Sequence, residues 1–152
     1  MRRIVSAFLS LLFVLTAVVI ALGDQPVMDK EKEDFLLSSL AGSYHVIGRL
    51  PDSRKTYSGQ MDISRKGHKL VLERKINGVK ITGEATVQSA TSDNVPVIRA
   101  AWKQGKTEYG ATYLLHTDLD NYPRLTGYIY YSGKETGAPG MEALFSKETA
   151  SR

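Results

Sequence analysis

Residues 56–87 constrain this chain more than any other stretch, because apolar and polar side chains alternate through it with only two breaks. Tyr57, Gly59, Met61 and Ile63 alternate with Ser58, Gln60, Asp62 and Ser64. Leu70 and Leu72 alternate with Lys69, Val71 and Glu73, and Ile81, Gly83, Ala85 and Val87 stand against Lys80, Thr82, Glu84 and Thr86. A period of two sends successive side chains to opposite faces of a strand, so the pattern predicts half-buried antiparallel strands, dry on one face and wet on the other. Lys66-Gly67-His68 joins the first two of them.

Turn chemistry then predicts register. Asn77-Gly78, between Ile76 and Val79, is a two-residue hairpin signal of type I′. It sets Lys75 opposite Lys80, Arg74 opposite Ile81, Leu72 opposite Gly83 and Leu70 opposite Ala85, which gathers the apolar residues on one face. Gly105-Lys106 predicts a second tight turn, with glycine first as type II′ requires. It sets Trp102 opposite Tyr109, Ala100 opposite Ala111 and Ile98 opposite Tyr113. On the other face Lys103 meets Glu108, an opposite-charge pair worth up to about 1 kcal/mol.

Further strands are predicted over 43–50, 95–104, 124–131 and 140–146, with loops at 51–55, 90–94, 118–123 and 132–139. In the last strand the apolar residues Met141, Ala143 and Phe145 are expected to point inward. Eight strands with short connections leave no room for crossover helices, so the order is up-and-down, and closure removes the exposed edges of an open sheet. Mid-strand glycines (Gly48, Gly59, Gly83, Gly110, Gly127) are the device that curls a sheet into a small barrel. The expected fold class is therefore all-β, an eight-stranded antiparallel up-and-down barrel. The alternative is an open sheet or sandwich.

The N-terminal part reads differently. Met1-Arg2-Arg3 is basic, Ile4 to Leu22 is apolar except for Ser6, Ser10 and Thr16, and Ala21-Leu22-Gly23 offers small residues just before Asp24. This predicts a signal peptide over 1–23 and a secreted or periplasmic protein with no membrane span after cleavage. An uncleaved anchor is the alternative. The organisation that follows is 24–41, a polar segment with a short helix; 42–147, the barrel; and 148–152, a polar tail. In the helix, Phe35, Leu36, Leu37 and Leu40 are expected to form one apolar side that caps an end of the barrel.

Cleavage would remove two of the 20 basic residues against 16 acidic ones, lowering the formal charge from +4 to +2. With no dense Lys/Arg cluster, a nucleic-acid partner is not expected. The chain has no cysteine, which excludes disulfides, thiolate nucleophiles and thiolate metal sites. His45, His68 and His116 lack metal-ligand spacing, and no nucleophile elbow, phosphate loop or dinucleotide fingerprint occurs. Asp118, Asp120 and Asn121 lack the turn glycine of a calcium loop and read as a turn. No catalytic residue, metal or cofactor is therefore expected.

A binding function has more support. The inward set carries Tyr57, Trp102, Tyr109, Tyr113 and Tyr131 among small residues (Gly59, Gly83, Ala85, Ala100, Ala111, Gly127). Aromatics with polar tips and leftover space suit a mostly apolar pocket. A simply packed core is the alternative. Arg74 is in phase with Leu70, Leu72 and Ile76, so alternation sends its guanidinium inward, where it suits a carboxylate or phosphate head group. Otherwise it reaches solvent at the rim. Arg74, Trp102, Tyr57, Tyr109, Tyr113 and Tyr131 are the candidate ligand-binding residues. Tyr128 and Tyr130 fall on the outer face.

Leu40-Ala41-Gly42-Ser43-Tyr44, following a short helix, resembles the start of a calycin barrel, the group of lipocalins, fatty-acid-binding proteins and avidins. There a Gly-x-Trp opens the first strand, and here Tyr44 stands where that Trp would be. The likeness is closer to a small bacterial calycin-like family than to a true lipocalin. It implies an exported barrel that holds a small hydrophobic or amphipathic molecule without chemistry. The other reading is a cell-envelope interaction or inhibitor module with an envelope protein partner, its core solid and its loops functional.

Overall fold

The computed structural model describes residues 28–91, 93–118 and 121–147, with side chains left aside at 116–118 and 121–123; the expected signal peptide and the polar tail lie outside these residues. One helix, α1 (Lys30–Ser39), precedes eight strands: β1 (Gly42–Arg49), β2 (Thr56–Lys66), β3 (Lys69–Ile76), β4 (Val79–Ser89), β5 (Pro96–Gln104), β6 (Thr107–Asp118), β7 (Asn121–Tyr131) and β8 (Gly140–Ser146). Each strand pairs with the next, and β8 returns to β1, closing the barrel. Every pairing is antiparallel. The expected fold class is the observed one.

Both registers expected from the turns are present. Lys75 faces Lys80 and Leu72 faces Gly83 across the β3–β4 hairpin. Asn77 and Gly78 both take positive φ, 50° and 81°, as a type I′ turn demands. Trp102 faces Tyr109 across β5–β6, and Lys103 Nζ lies 3.2 Å from Glu108 Oε1.

Three expectations are corrected. The loop expected over 118–123 is overtaken by strand at both ends, because β6 continues through Asp118 and β7 begins at Asn121, with a register irregularity between His116 and Asp118. Backbone pairing there runs on past the polar residues that had suggested a loop. In β8, Met141 and Phe145 point outward and are 51% and 39% exposed, while Glu142 and Leu144 are buried. Leu144 is paired with Val46, and Glu142 with Gly48. Opposed residues share a face, so the inward phase of β1 sets that of β8. In α1, Leu36, Leu37 and Leu40 are buried but Phe35 is 70% exposed. At about 100° per residue Phe35 lies well outside the stripe formed by the other three.

The helix closes one end of the barrel. Asp29 caps its N-terminus, accepting from the Glu31 amide at 3.4 Å, and Glu31 and Glu33 occupy the first turn, where the dipole favours acid. Arg65, next to the β2–β3 turn, donates to Ser38 Oγ at 2.9 Å and pairs with Asp34. Buried Tyr44 donates its hydroxyl to the Leu40 carbonyl at 2.9 Å, satisfying one of the free carbonyls at the helix C-terminus. The leucines join Ile63, Leu70, Leu72, Leu125 and Leu144 in a single apolar core.

Candidate functional site

Arg74 and Glu142 are the buried charged residues among the described ones, at 2% and 3% exposure. Arg74 points inward from β3, as alternation predicts, and not to the rim. Its Nη2 pairs with Glu142 Oε1 across the lumen from β8. Tyr57 donates its hydroxyl to Glu142 Oε1 at 2.6 Å, and Tyr113 donates to Glu142 Oε2. Arg74 Nη2 also lies 3.5 Å from the Tyr57 hydroxyl.

The register explains how four side chains from four strands converge. Tyr57, Gly48, Glu142, Gly127 and Tyr113 form one continuous row across β2, β1, β8, β7 and β6. A glycine stands on each side of Glu142, and a Cβ at Gly127 would meet the backbone of Thr112 and Tyr113. At Gly48 the fit is direct, since a Cβ there would stand 2.7 Å from the Tyr57 ring and hydroxyl and 2.9 Å from the Met141 carbonyl. A carboxylate and a guanidinium removed from water require such partners.

Burial pushes the Tyr57 hydroxyl far up from its ordinary value, the charge of Glu142 raises it further, and Arg74 partly opposes both. Tyr113 is raised for the same leading reasons. Both phenols thus stay protonated and donating. Burial would lower Arg74, but Glu142 and the two tyrosines more than restore it. The centre is an ion pair whose carboxylate also accepts from both phenols.

The Arg74 guanidinium carbon lies 4.0 Å from the Trp102 ring centroid, a cation–π contact. Trp102 stacks on Tyr109 at 5.6 Å and 17°. Tyr109 meets Tyr131 at 5.6 Å, and Lys134 Nζ lies 3.7 Å over the Tyr131 ring. Tyr131 donates to the Pro51 carbonyl at 3.1 Å. Burial, then Tyr131, raise the Tyr109 hydroxyl.

At the end opposite α1, a cavity of about 240 Å³ is lined by Leu50, Tyr57, Arg74, Ile76, Asn77, Val79, Ile81, Trp102 and Gln104. Of the six residues expected from the sequence, Tyr57, Arg74 and Trp102 line it. Tyr113 instead holds Glu142, while Tyr109 and Tyr131 continue the aromatic ladder beside it. Arg74 Nε and Nη1 are buried with no hydrogen-bond partner among the described residues. Sequence reasoning missed Glu142, which the expected β8 phase sent outward. The signal that could have found it was Arg74 itself, since one inward charge requires a counter-charge.

A second, larger concavity of about 740 Å³ lies on the outer wall of β1 and β6–β8, beside the exposed side chains of Ile47, Leu114, Tyr128 and Met141. It opens to solvent. Among the described residues, no helix is long and apolar enough to cross a membrane.

No family model matches the chain, and no curated protein matches it. Among solved structures, the chain is similar to a redesigned β-barrel, mFAP0, bound to DFHBI, at 21% identity and a TM-score of 0.46, covering 70% of this chain and 98% of that one. By its own strand pairing, the chain is a closed, eight-stranded antiparallel up-and-down barrel with one short helix before β1.

Proposed function

We propose that this protein is an exported, non-catalytic barrel that holds one small, largely apolar molecule in the cavity beside Arg74 and Trp102. The observation that supports this most is the cavity itself, whose wall carries the inward-pointing Arg74 and Trp102 at one end of the barrel. Leu50, Ile76, Val79 and Ile81 supply the apolar wall, and Asn77 and Gln104 the polar edge, the usual make-up of a small-molecule site. A cavity at this end favours binding over the reading of a solid barrel that acts through its loops.

Trp102 is the only tryptophan in the chain, so its fluorescence reports on this cavity alone. Protein purified from its native host is expected to carry extractable ligand, and removing that ligand should shift the Trp102 emission. Native mass spectrometry that finds only bare protein, together with no thermal shift across a library of small lipids and ring compounds, would refute the binding function. Export is tested separately. The mature protein's mass should lack residues 1–23.

A further inference from the structure

We propose that the outer wall of β1, β8, β7 and β6 is a docking face for an anionic lipid bilayer, on which the barrel lies on its side. This does not depend on what the lumen holds.

The strand register builds the face. One outward row runs Ile47, Ala143, Thr126, Leu114, and the next runs Arg49, Met141, Tyr128, Thr112. Opposed residues share a face, and the alternate positions Val46, Leu144, Leu125 and Tyr113 lie in the core. Ile47, Leu114, Tyr128 and Met141 are each about half exposed, and Phe145 follows at 39%. Large apolar side chains gathered in water at one place mark a contact surface. The wall on the other side of the barrel is different. There the outward residues of β3 and β4 include Glu73, Lys75, Lys80 and Glu84, an ordinary solvated surface. A barrel that crosses a bilayer carries its apolar band all round. One apolar side suits an interface, where an amphipathic body sinks about 5–10 Å.

Charge says what the face meets. β1 and β7 contain no acidic residue, and the one in β8, Glu142, is buried in the lumen. The exposed charges these strands carry are basic: Arg49 lines the concavity, and Arg124 is paired with Phe145 one row further along. A second copy would bring the same arginines and no acid to meet them, and like charges disfavour that contact. Closure leaves no strand edge for a partner to extend. The apolar side chains cover four strands across and three rows along, a surface rather than the single line that one helix buries. Phosphate suits arginine, whose stem can lie along apolar surface while its head reaches the charge. Tyr128 belongs to the residue type that sits at the lipid–water boundary.

The test uses the mature chain from residue 24, because the apolar run over 4–22 would bind vesicles by itself; the strands and the core lie within 28–147. Flotation is measured with vesicles of phosphatidylcholine alone and of equimolar phosphatidylcholine and phosphatidylglycerol. Binding to the anionic vesicles is expected to be at least about tenfold tighter, with high salt removing most of that difference. Tyr128→Ser/Met141→Ser should weaken it by about tenfold or more. Arg49→Glu/Arg124→Glu should abolish the anionic preference. Lys75→Glu/Lys80→Glu, an equal change of net charge on the other wall, should keep it. Circular dichroism checks that each variant is folded, and if one is not, the wild type and the others decide. No flotation with either vesicle, or equal losses from the two charge variants, would overturn the proposal. Equal binding to both vesicles would overturn the role of the arginines. A dimer in light scattering that Tyr128→Ser/Met141→Ser dissolves would assign the face to a second copy instead. A glutamate-flanked amphipathic helical peptide that binds where anionic vesicles do not would assign it to a protein partner, and either result overturns the lipid.

Discussion

At the end of the barrel where β2 turns into β3, Leu36, Leu37 and Leu40 of α1 join Tyr44, Ile63 and Leu70 in an apolar core. At the other end, near the β1–β2, β3–β4 and β5–β6 turns, the lumen holds a guanidinium, a carboxylate and two phenols, and a cavity remains. The first end is held by burial, which has no direction, so each leucine contributes largely on its own. The second is held by directed contacts, so the stability of each group depends on its partners. An apolar end can be packed solid. A polar end requires fixed geometry.

This contrast is broken most directly by removing one buried charge. Arg74→Met or Glu142→Leu alone should cost about 3–5 kcal/mol, because the remaining ion stays buried without its partner. The double variant Arg74→Met/Glu142→Leu should recover most of that loss, since apolar side chains of similar volume often replace a buried ion pair at little cost. Urea midpoints at constant slope measure both. A double variant no more stable than the singles would mean that the two residues do not act as a pair. At the closed end, Leu37→Ala should cost about 3 kcal/mol by leaving a cavity under the helix. It should leave ligand-induced changes in Trp102 fluorescence intact, because α1 is remote from the cavity. Loss of that response would show that the two ends are coupled.

The closed end and the walls were largely legible from sequence. Alternation in β2, β3 and β4 and the turns at Asn77-Gly78 and Gly105-Lys106 carry their own register, and local chemistry decides them. Arg74 was legible as an inward charge for the same reason. Glu142 was not, because β8 places Met141 and Phe145 in one phase and Leu144 in the other, so hydrophobicity does not choose between them. The choice is made by pairing with β1 and β7, where Gly48 and Gly127 flank Glu142. That information is non-local. Which inward aromatics line the cavity was illegible for a related reason: Tyr57 and Trp102 line it, while Tyr109 and Tyr131 lie beside it.

Gly48→Ala should disturb the polar end alone, by a smaller amount. The added methyl would stand 2.7 Å from the Tyr57 ring and hydroxyl and push that phenol off Glu142. Overpacking of this kind costs about 1–3 kcal/mol. Tyr57→Phe in the same chain should not relieve it, because the ring carbon is as close as the oxygen. Relief by phenylalanine would place the strain at the hydroxyl alone.

The smallest effect is one of pH. Tyr57 and Tyr113 keep their protons in the folded barrel well above their ordinary value of 10.0, first through burial and then through Glu142. Their folded values are raised, so their contribution is complete below the unfolded value and is lost as pH rises through it toward the folded one. At about pH 10 the unfolded chain has released half a proton from each phenol that the folded state retains, a loss of ~0.4 kcal/mol per tyrosine. Above that, each adds about 1.4 kcal/mol per pH unit. Denaturation across this range should therefore show a steeper decline in the wild type than in Tyr57→Phe/Tyr113→Phe. Phenolate absorbance should show that Tyr57 and Tyr113, identified by their loss in the double variant, ionise only as the barrel unfolds. Equal slopes would mean that the carboxylate-bound phenols titrate freely in the folded state, and the polar end would then be open to solvent in a way the closed end is not.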